Sequence, residues 1–126
     1  MPNSGGYGDP LERDTVLGPV ISGAHRERVE GYVASAVAEG ATAVAGGDRP
    51  DLDTGYYVKP TLLADGHNQM TAAREEIFGP VIVAMPFDDE DEAIALANDT
   101  EFGLSGSIFT NDVGRALRVA RGVEAG

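Results

Sequence analysis

The side chains best placed to do chemistry lie in the stretch REEIFGP, Arg74 to Pro80. Glu75 and Glu76 are adjacent carboxylates that run into the bulky apolar pair Ile77 and Phe78. An ionised carboxylate only accepts hydrogen bonds, and its two oxygens match two neighbouring hydroxyls such as a ribose diol. Ile77 and Phe78 are expected to be at least partly buried, and Gly79-Pro80 to fix a tight turn into an apolar run. A carboxylate held there would sit at one end of a sheet, where α/β proteins place ligands. The same spacing also suits the solvated last turn of a helix, and spacing alone leaves both readings open.

Other candidates are weaker. His25 and His67 lie far apart in the chain, without an i, i+4 partner or a carboxylate at ligand spacing, so ordinary surface histidines are favoured over metal ligands. Gly103-Leu104-Ser105-Gly106 misses the Gly-x-Ser-x-Gly spacing of a nucleophile elbow, and no His follows it. Its small residues are better read as allowing close packing of a strand. Gly46-Gly47 ends a strand without opening a helix, and neither Gly-x-Gly-x-x-Gly nor a P-loop occurs, which argues against a phosphate cradle. The acidic run Asp88 to Glu92 can attract a cation, but its place at a helix start favours capping over calcium. We therefore assign no metal site. Cys is absent from the sequence, so this chain has no disulfide, no thiolate metal site and no Cys nucleophile.

Composition narrows the classes further. The 126 residues fit one modest domain. The net charge of −12, with eight Arg and the single Lys59 as its only basic residues, argues against nucleic-acid binding. No apolar run approaches the roughly 18–20 residues that a membrane span needs. No signal-peptide pattern opens the chain, so the expected location is cytoplasmic.

The elements that must hold these residues alternate in type. Residues 1–15, rich in Gly, Pro and Asp, are expected to be a leader or surface tail. A helix should start at Ser22 as cap and stop near Gly40, with Val29, Val33 and Val37 recurring at helical spacing. Thr42 to Ala45 and Pro60 to Ala64 read as short strands, and Tyr56 to Val58 as extended. Met70 to Glu76 allows a helical turn or two. Val81 to Phe87 is a nearly continuous apolar run, the pattern of a strand covered on both faces. Asp89-x-x-Glu92 resembles a capping box for the next helix, whose apolar side holds Ile94, Leu96 and Ala97. Leu104 to Thr110 reads as a strand. A last helix comes after Asn111 or Asp112, with Val113, Ala116, Leu117 and Ala120 inside and Arg115, Arg118 and Arg121 towards its negative end. The alternation predicts an α/β fold with a mostly parallel sheet flanked by helices.

Several blocks in one order resemble the NAD(P)-dependent aldehyde dehydrogenase superfamily: LGPVIS (Leu17 to Ser22), GGDRPDLDTGYYVKPTLL (Gly46 to Leu63), MTAAREEIFGPV (Met70 to Val81), PFDDEDEAIALANDTEFGLSGSIFT (Pro86 to Thr110) and RALRVARGVEAG (Arg115 to Gly126). The Glu-Glu-Ile-Phe-Gly-Pro block is highly specific to that family. In the family a Cys thiolate attacks the aldehyde, hydride passes to the nicotinamide of NAD or NADP, and a thioester is hydrolysed. The resemblance implies that Glu76 accepts hydrogen bonds from the nicotinamide-ribose hydroxyls and that Phe78 packs near the nicotinamide ring. Glu75 receives no cofactor role, and no catalytic residue is assigned. Phe102 and Gly66 depart from the family's common Tyr and apolar residue. Residues 16–126 are expected to be part of an aldehyde dehydrogenase catalytic domain. The expectations are an inactive fragment binding no cofactor alone, an aldehyde as the parent's substrate, and self-association through exposed strand edges. A stand-alone binding or assembly module with the same fold is the alternative.

Overall fold

The computed structural model describes residues 6–52 and 54–126 and divides into two compact units, Met1–Met85 and Pro86–Gly126. The first five residues of the expected tail, and Asp53 of the polar loop, lie outside the described residues.

In the first unit, residues 6–15 are tied to the two residues after them. Tyr7 is buried and bridges Leu17, and the amides of Val16 and Leu17 both donate to the Gly6 carbonyl, at 2.7 and 2.9 Å. Helix α1, Gly23–Ala38, begins where expected: the Ser22 hydroxyl accepts from the His25 amide at 3.1 Å. The helix ends at Glu39, and Gly40 comes next at φ +113°, a conformation that costs little without a Cβ. Val29, Val33 and Ala36 form its buried stripe, whereas Val37 is half exposed. Each fully buried valine contributes about 1.5–3 kcal/mol of hydrophobic stabilisation.

The sheet has the order β1 (Thr42–Ala45), β2 (Thr61–Ala64), β3 (Val81–Val83). β1 pairs antiparallel with β2, through a register shift between Ala43 and Ala45, and β2 pairs parallel with β3. The α/β class stands, with the sheet mixed and only three strands wide. After β1 the chain reverses through Gly46 and Gly47, at φ +67° and +82°. A Cβ at Gly46 would lie 2.6 Å from the Thr61 hydroxyl oxygen and collide with the Pro60 carbonyl. Only glycine fits that turn. β2 starts directly after Pro60, and its Leu63 is fully buried. Between β2 and β3 the short helix α2, Thr71–Arg74, makes the crossover. Val29, Val33, Ala36, Ala41, Val58, Leu63, Met70, Ala72 and Ile77 together form the core.

The apolar run after Pro80 departs from expectation. Only Val81–Val83 pairs as a strand, and burial alternates along it: Val81 and Val83 face the core while Ile82 is 66% exposed. The expected cover on both faces is missing because the core lies against one side of β3's alternation only, the side of Val81 and Val83.

In the second unit, α3 (Glu90–Asn98) and α4 (Val113–Gly122) are joined by residues 99–112, which form neither helix nor strand. Asp89 and Asp112 cap them, accepting from the amides of Glu92 and Arg115 at 2.9 Å each. The Glu92 carboxylate in turn takes the Asp88 amide at 2.6 Å, one position earlier than the usual capping box. Leu104 to Thr110, expected as a strand, forms no ladder and is exposed throughout. A strand needs a hydrogen-bonded neighbour, and the described residues of this unit hold no strand. Gly103 does approach closely, since a Cβ there would stand 3.2 Å from the Glu124 carbonyl. The inner stripe of α4 is also displaced: Ala116 and Val119 are half buried, and Val113 and Leu117 are exposed. Two of its three arginines serve α3, while Arg121 stays in the last turn. Arg118 forms a two-pronged pair with Glu90, at 2.7 and 2.8 Å, and Arg115 Nε lies 3.6 Å from the same carboxylate.

Candidate functional site

The stretch Arg74 to Pro80 is built in four steps. α2 stops because Glu75 leaves the helical region, at φ −111° and ψ 154°, while its amide still donates to the Thr71 carbonyl at 3.0 Å. Ile77 then turns inward and is buried, which anchors the segment to the core. Phe78 adopts φ +56°, a left-handed conformation unusual for a residue with a bulky side chain. Finally the Val81 amide donates to the Gly79 carbonyl at 2.8 Å across Pro80, and the Thr61 amide donates to the Pro80 carbonyl at 2.8 Å. The turn is thereby clamped to the start of β2.

One face of α1 holds this segment from the other side. His25, Arg28 and Tyr32 fall at positions i, i+3 and i+7, which the helical period aligns. His25 Nε2 donates to the Phe78 carbonyl at 2.8 Å; a carbonyl accepts only, so the proton sits on Nε2. Arg28 donates to the Glu76 carbonyl at 2.6 Å, and the Tyr32 hydroxyl donates to Glu75 Oε2 at 2.6 Å. Arg28 also lies over the Tyr32 ring, 5.5 Å from its centroid. Between these contacts Gly79 lies against Val29.

The outcome differs from the expected burial at one residue. Phe78 is 69% exposed, although Ile77 beside it is 8% exposed. The left-handed backbone at Phe78 is the reason, because it carries the ring out of the core while the chain stays anchored on both sides. Glu75 and Glu76 are exposed too. One carboxylate and one aromatic face are thus offered outward by a held turn, a pair suited to a polar ring system that bears a diol. The turn lies at the amino end of β3, so the rule that places ligands at carboxyl ends of strands does not account for it.

Sequence reasoning misses the three holding residues. In the sequence His25 reads only as a surface or metal-binding histidine. The available signal is three hydrogen-bond donors at i, i+3 and i+7, next to the buried stripe of α1. His67 remains elsewhere in the first unit, exposed, with Nδ1 accepting the Gln69 amide at 3.3 Å. Among the described residues no group of three or more His, Cys, Asp or Glu gathers to hold a metal.

The family profile of the aldehyde dehydrogenases matches residues 3–126. The chain belongs to the aldehyde dehydrogenase family. It is 55% identical over 121 residues to the betaine aldehyde dehydrogenase of Rhizobium leguminosarum bv. trifolii (strain WSM2304), covering 94% of this chain and 25% of that protein. It is 50% identical over 125 residues to the 5-carboxymethyl-2-hydroxymuconate semialdehyde dehydrogenase of Escherichia coli, covering 94% of this chain and 27% of that protein. Among solved structures, a Mycobacterium tuberculosis aldehyde dehydrogenase complexed with NAD+ aligns with a TM-score of 0.91 at 46% identity, over 95% of this chain and 25% of that one. The chain spans about a quarter of the length of these aldehyde dehydrogenases.

Proposed function

We propose that this chain is a portion of the catalytic domain, over residues 16–126, of an NAD(P)-dependent aldehyde dehydrogenase that oxidises an aldehyde to a carboxylic acid. Within it, Glu76 accepts hydrogen bonds from the nicotinamide-ribose hydroxyls, and Phe78 borders the nicotinamide ring. The observation that supports this reading is the held, left-handed turn that exposes the ring of Phe78 two residues from the exposed Glu76. NAD is favoured over NADP by the solved relative, which was complexed with NAD+.

The residues present fit the nicotinamide-ribose end of such a cofactor by the chemistry of their donor set, a carboxylate acceptor and an aromatic face. They do not fit its pyrophosphate, since no glycine-rich loop opens a helix in this sequence. When bound, the cofactor supplies the hydride acceptor; this chain contributes only orientation. With no Cys to attack an aldehyde, the chain alone is inactive in this reading.

The test is a hybrid enzyme in which this chain replaces the matching quarter of the Mycobacterium tuberculosis aldehyde dehydrogenase. Glu76→Gln in that hybrid is expected to raise the KM for NAD+ about tenfold, the effect of weakening one charge-assisted hydrogen bond. An unchanged KM refutes the role of Glu76.

A further inference from the structure

The left-handed backbone of Phe78 carries strain that its neighbours must overcome. Its own side chain, largely exposed and with its ring 6.3 Å from that of His25, contributes little. Beyond buried Ile77 and the clamp of Pro80 to β2, what holds the backbone is the row of donors on α1. Two of them end on main-chain carbonyls, Arg28 on Glu76 and His25 on Phe78, at 2.6 and 2.8 Å. The third, Tyr32, holds the side chain of Glu75 at 2.6 Å and so fixes the residue where α2 ends. The carbonyls on either side of Ile77 are therefore both occupied, and Ile77 between them is buried. The His25 bond fixes the peptide unit after Phe78, and the Arg28 bond together with buried Ile77 fixes the stretch that leads into it.

We propose that Arg28 and Tyr32 are positioning residues for the cofactor edge: from α1 they hold the 75–78 backbone in the one conformation that presents Glu76 and Phe78 together. This deepens the reading of Glu76 and Phe78 as cofactor contacts and rests on it for its functional consequence. Neither residue needs to touch the reacting atoms. Both bonds are charge-assisted, Arg28 through its guanidinium and Tyr32 through the Glu75 carboxylate, and Arg28 acts on the main chain nearer to Phe78.

Two measurements test the proposal separately from that reading. The first is 15N relaxation on the full 126-residue chain. Order parameters for the amides of residues 76–79 are expected to fall from about 0.85 to under about 0.6 in the Arg28→Met, Tyr32→Phe double variant, with α1 and β2 amides unchanged. The second is kinetics of the hybrid enzyme. The same double variant is expected to raise the KM for NAD+ about tenfold, and Arg28→Lys, which keeps a donor, to recover most of that loss. Tyr32→Phe alone, which removes one oxygen, is read beside them and is expected to give a smaller loosening of the same amides. Unchanged order parameters overturn the proposal, as does an unchanged KM in the double variant where Glu76→Gln raises it. If Glu76→Gln has no effect on KM, the ribose reading fails, and the order parameters alone decide whether Arg28 and Tyr32 hold the turn.

Discussion

Gly79 and Val29 meet with no room between them: a Cβ on Gly79 would stand 2.8 and 2.9 Å from the two methyls of Val29. The contact joins the turn of the candidate site to the centre of the α1 stripe, where Val29 is fully buried. Gly79→Ala is therefore expected to destabilise the chain by about 1–3 kcal/mol, the usual range for overpacking. Val29→Ala vacates the same space, so the double variant is expected to lose less than the sum of the two single losses. Urea denaturation of the four proteins in the cycle measures this coupling; strict additivity would show that the two residues do not share a contact.

At Phe78 the expected order of stability is set by backbone and not by burial. Phe78→Gly relieves a left-handed strain of about 1–2 kcal/mol and adds about 0.5–1 kcal/mol of unfolded-state entropy, so it should be neutral or slightly stabilising. Phe78→Val places a β-branched residue at φ +56° and should be the least stable of the three. Thermal melts of the three proteins rank them. A valine variant as stable as the glycine one would mean that the left-handed turn is not present in solution.

The Glu90 carboxyl is held below the ordinary glutamate range, first by its hydrogen bonds from Arg118, then by the charges of Arg118 and Arg115. A depressed folded-state value contributes stability that is complete above the unfolded value, near 4.3, and fades as pH falls through the lower folded one. The link between α3 and α4 is thus expected to weaken only in acid, starting below about pH 4.3. The pair is exposed, so salt should screen it and Glu90→Gln should cost little at neutral pH. An NMR titration of the α4 amides, with and without Glu90→Gln, measures both effects. Loss of the link between pH 6 and 8 would contradict the assignment.

Aldehyde oxidation by the isolated chain is expected to be absent. The check is NADH absorbance with millimolar NAD+ and a panel of aldehydes. Turnover that survives rigorous purification would show that a group other than a thiolate attacks the substrate, since the sequence offers none.

The isolated chain is also expected to self-associate. Ile82 on edge strand β3, together with Leu104 and Phe109 at 93% and 95% exposure, leaves apolar surface on both units. Light scattering across a concentration series reads this directly. A clean monomer throughout would show that the net charge of −12 outweighs the apolar contacts.

Much of the local structure is legible in the sequence because it is governed by local rules. Ser22, Asp89 and Asp112 cap helices through their own side chains, and Gly40 and Gly46 mark left-handed turns. Features that depend on distant residues are not legible. The apolar character of Leu104 to Thr110 suggests a strand, but strand formation depends on a partner that composition does not reveal. Ile82 and Phe78 are apolar in sequence and exposed in the fold, one through the pleat of an edge strand and the other through its backbone angle. Glu76 and Phe78 stand out through a specific motif. Arg28 and Tyr32 do not, because their partners lie 48 and 43 positions away.

Arg28 and His25 both terminate on carbonyl oxygens, a group that every residue type carries. Arg28 therefore reads the path of the main chain and is indifferent to the side chain at 76, whereas the His25 ring also lies 6.3 Å from the ring of Phe78. Anchoring and ligand contact are in this sense separable at position 76: Glu76 can be exchanged while its mooring to α1 is kept. A scaffold arranged this way can alter what it recognises by single substitutions, without first having to refold the edge that presents them.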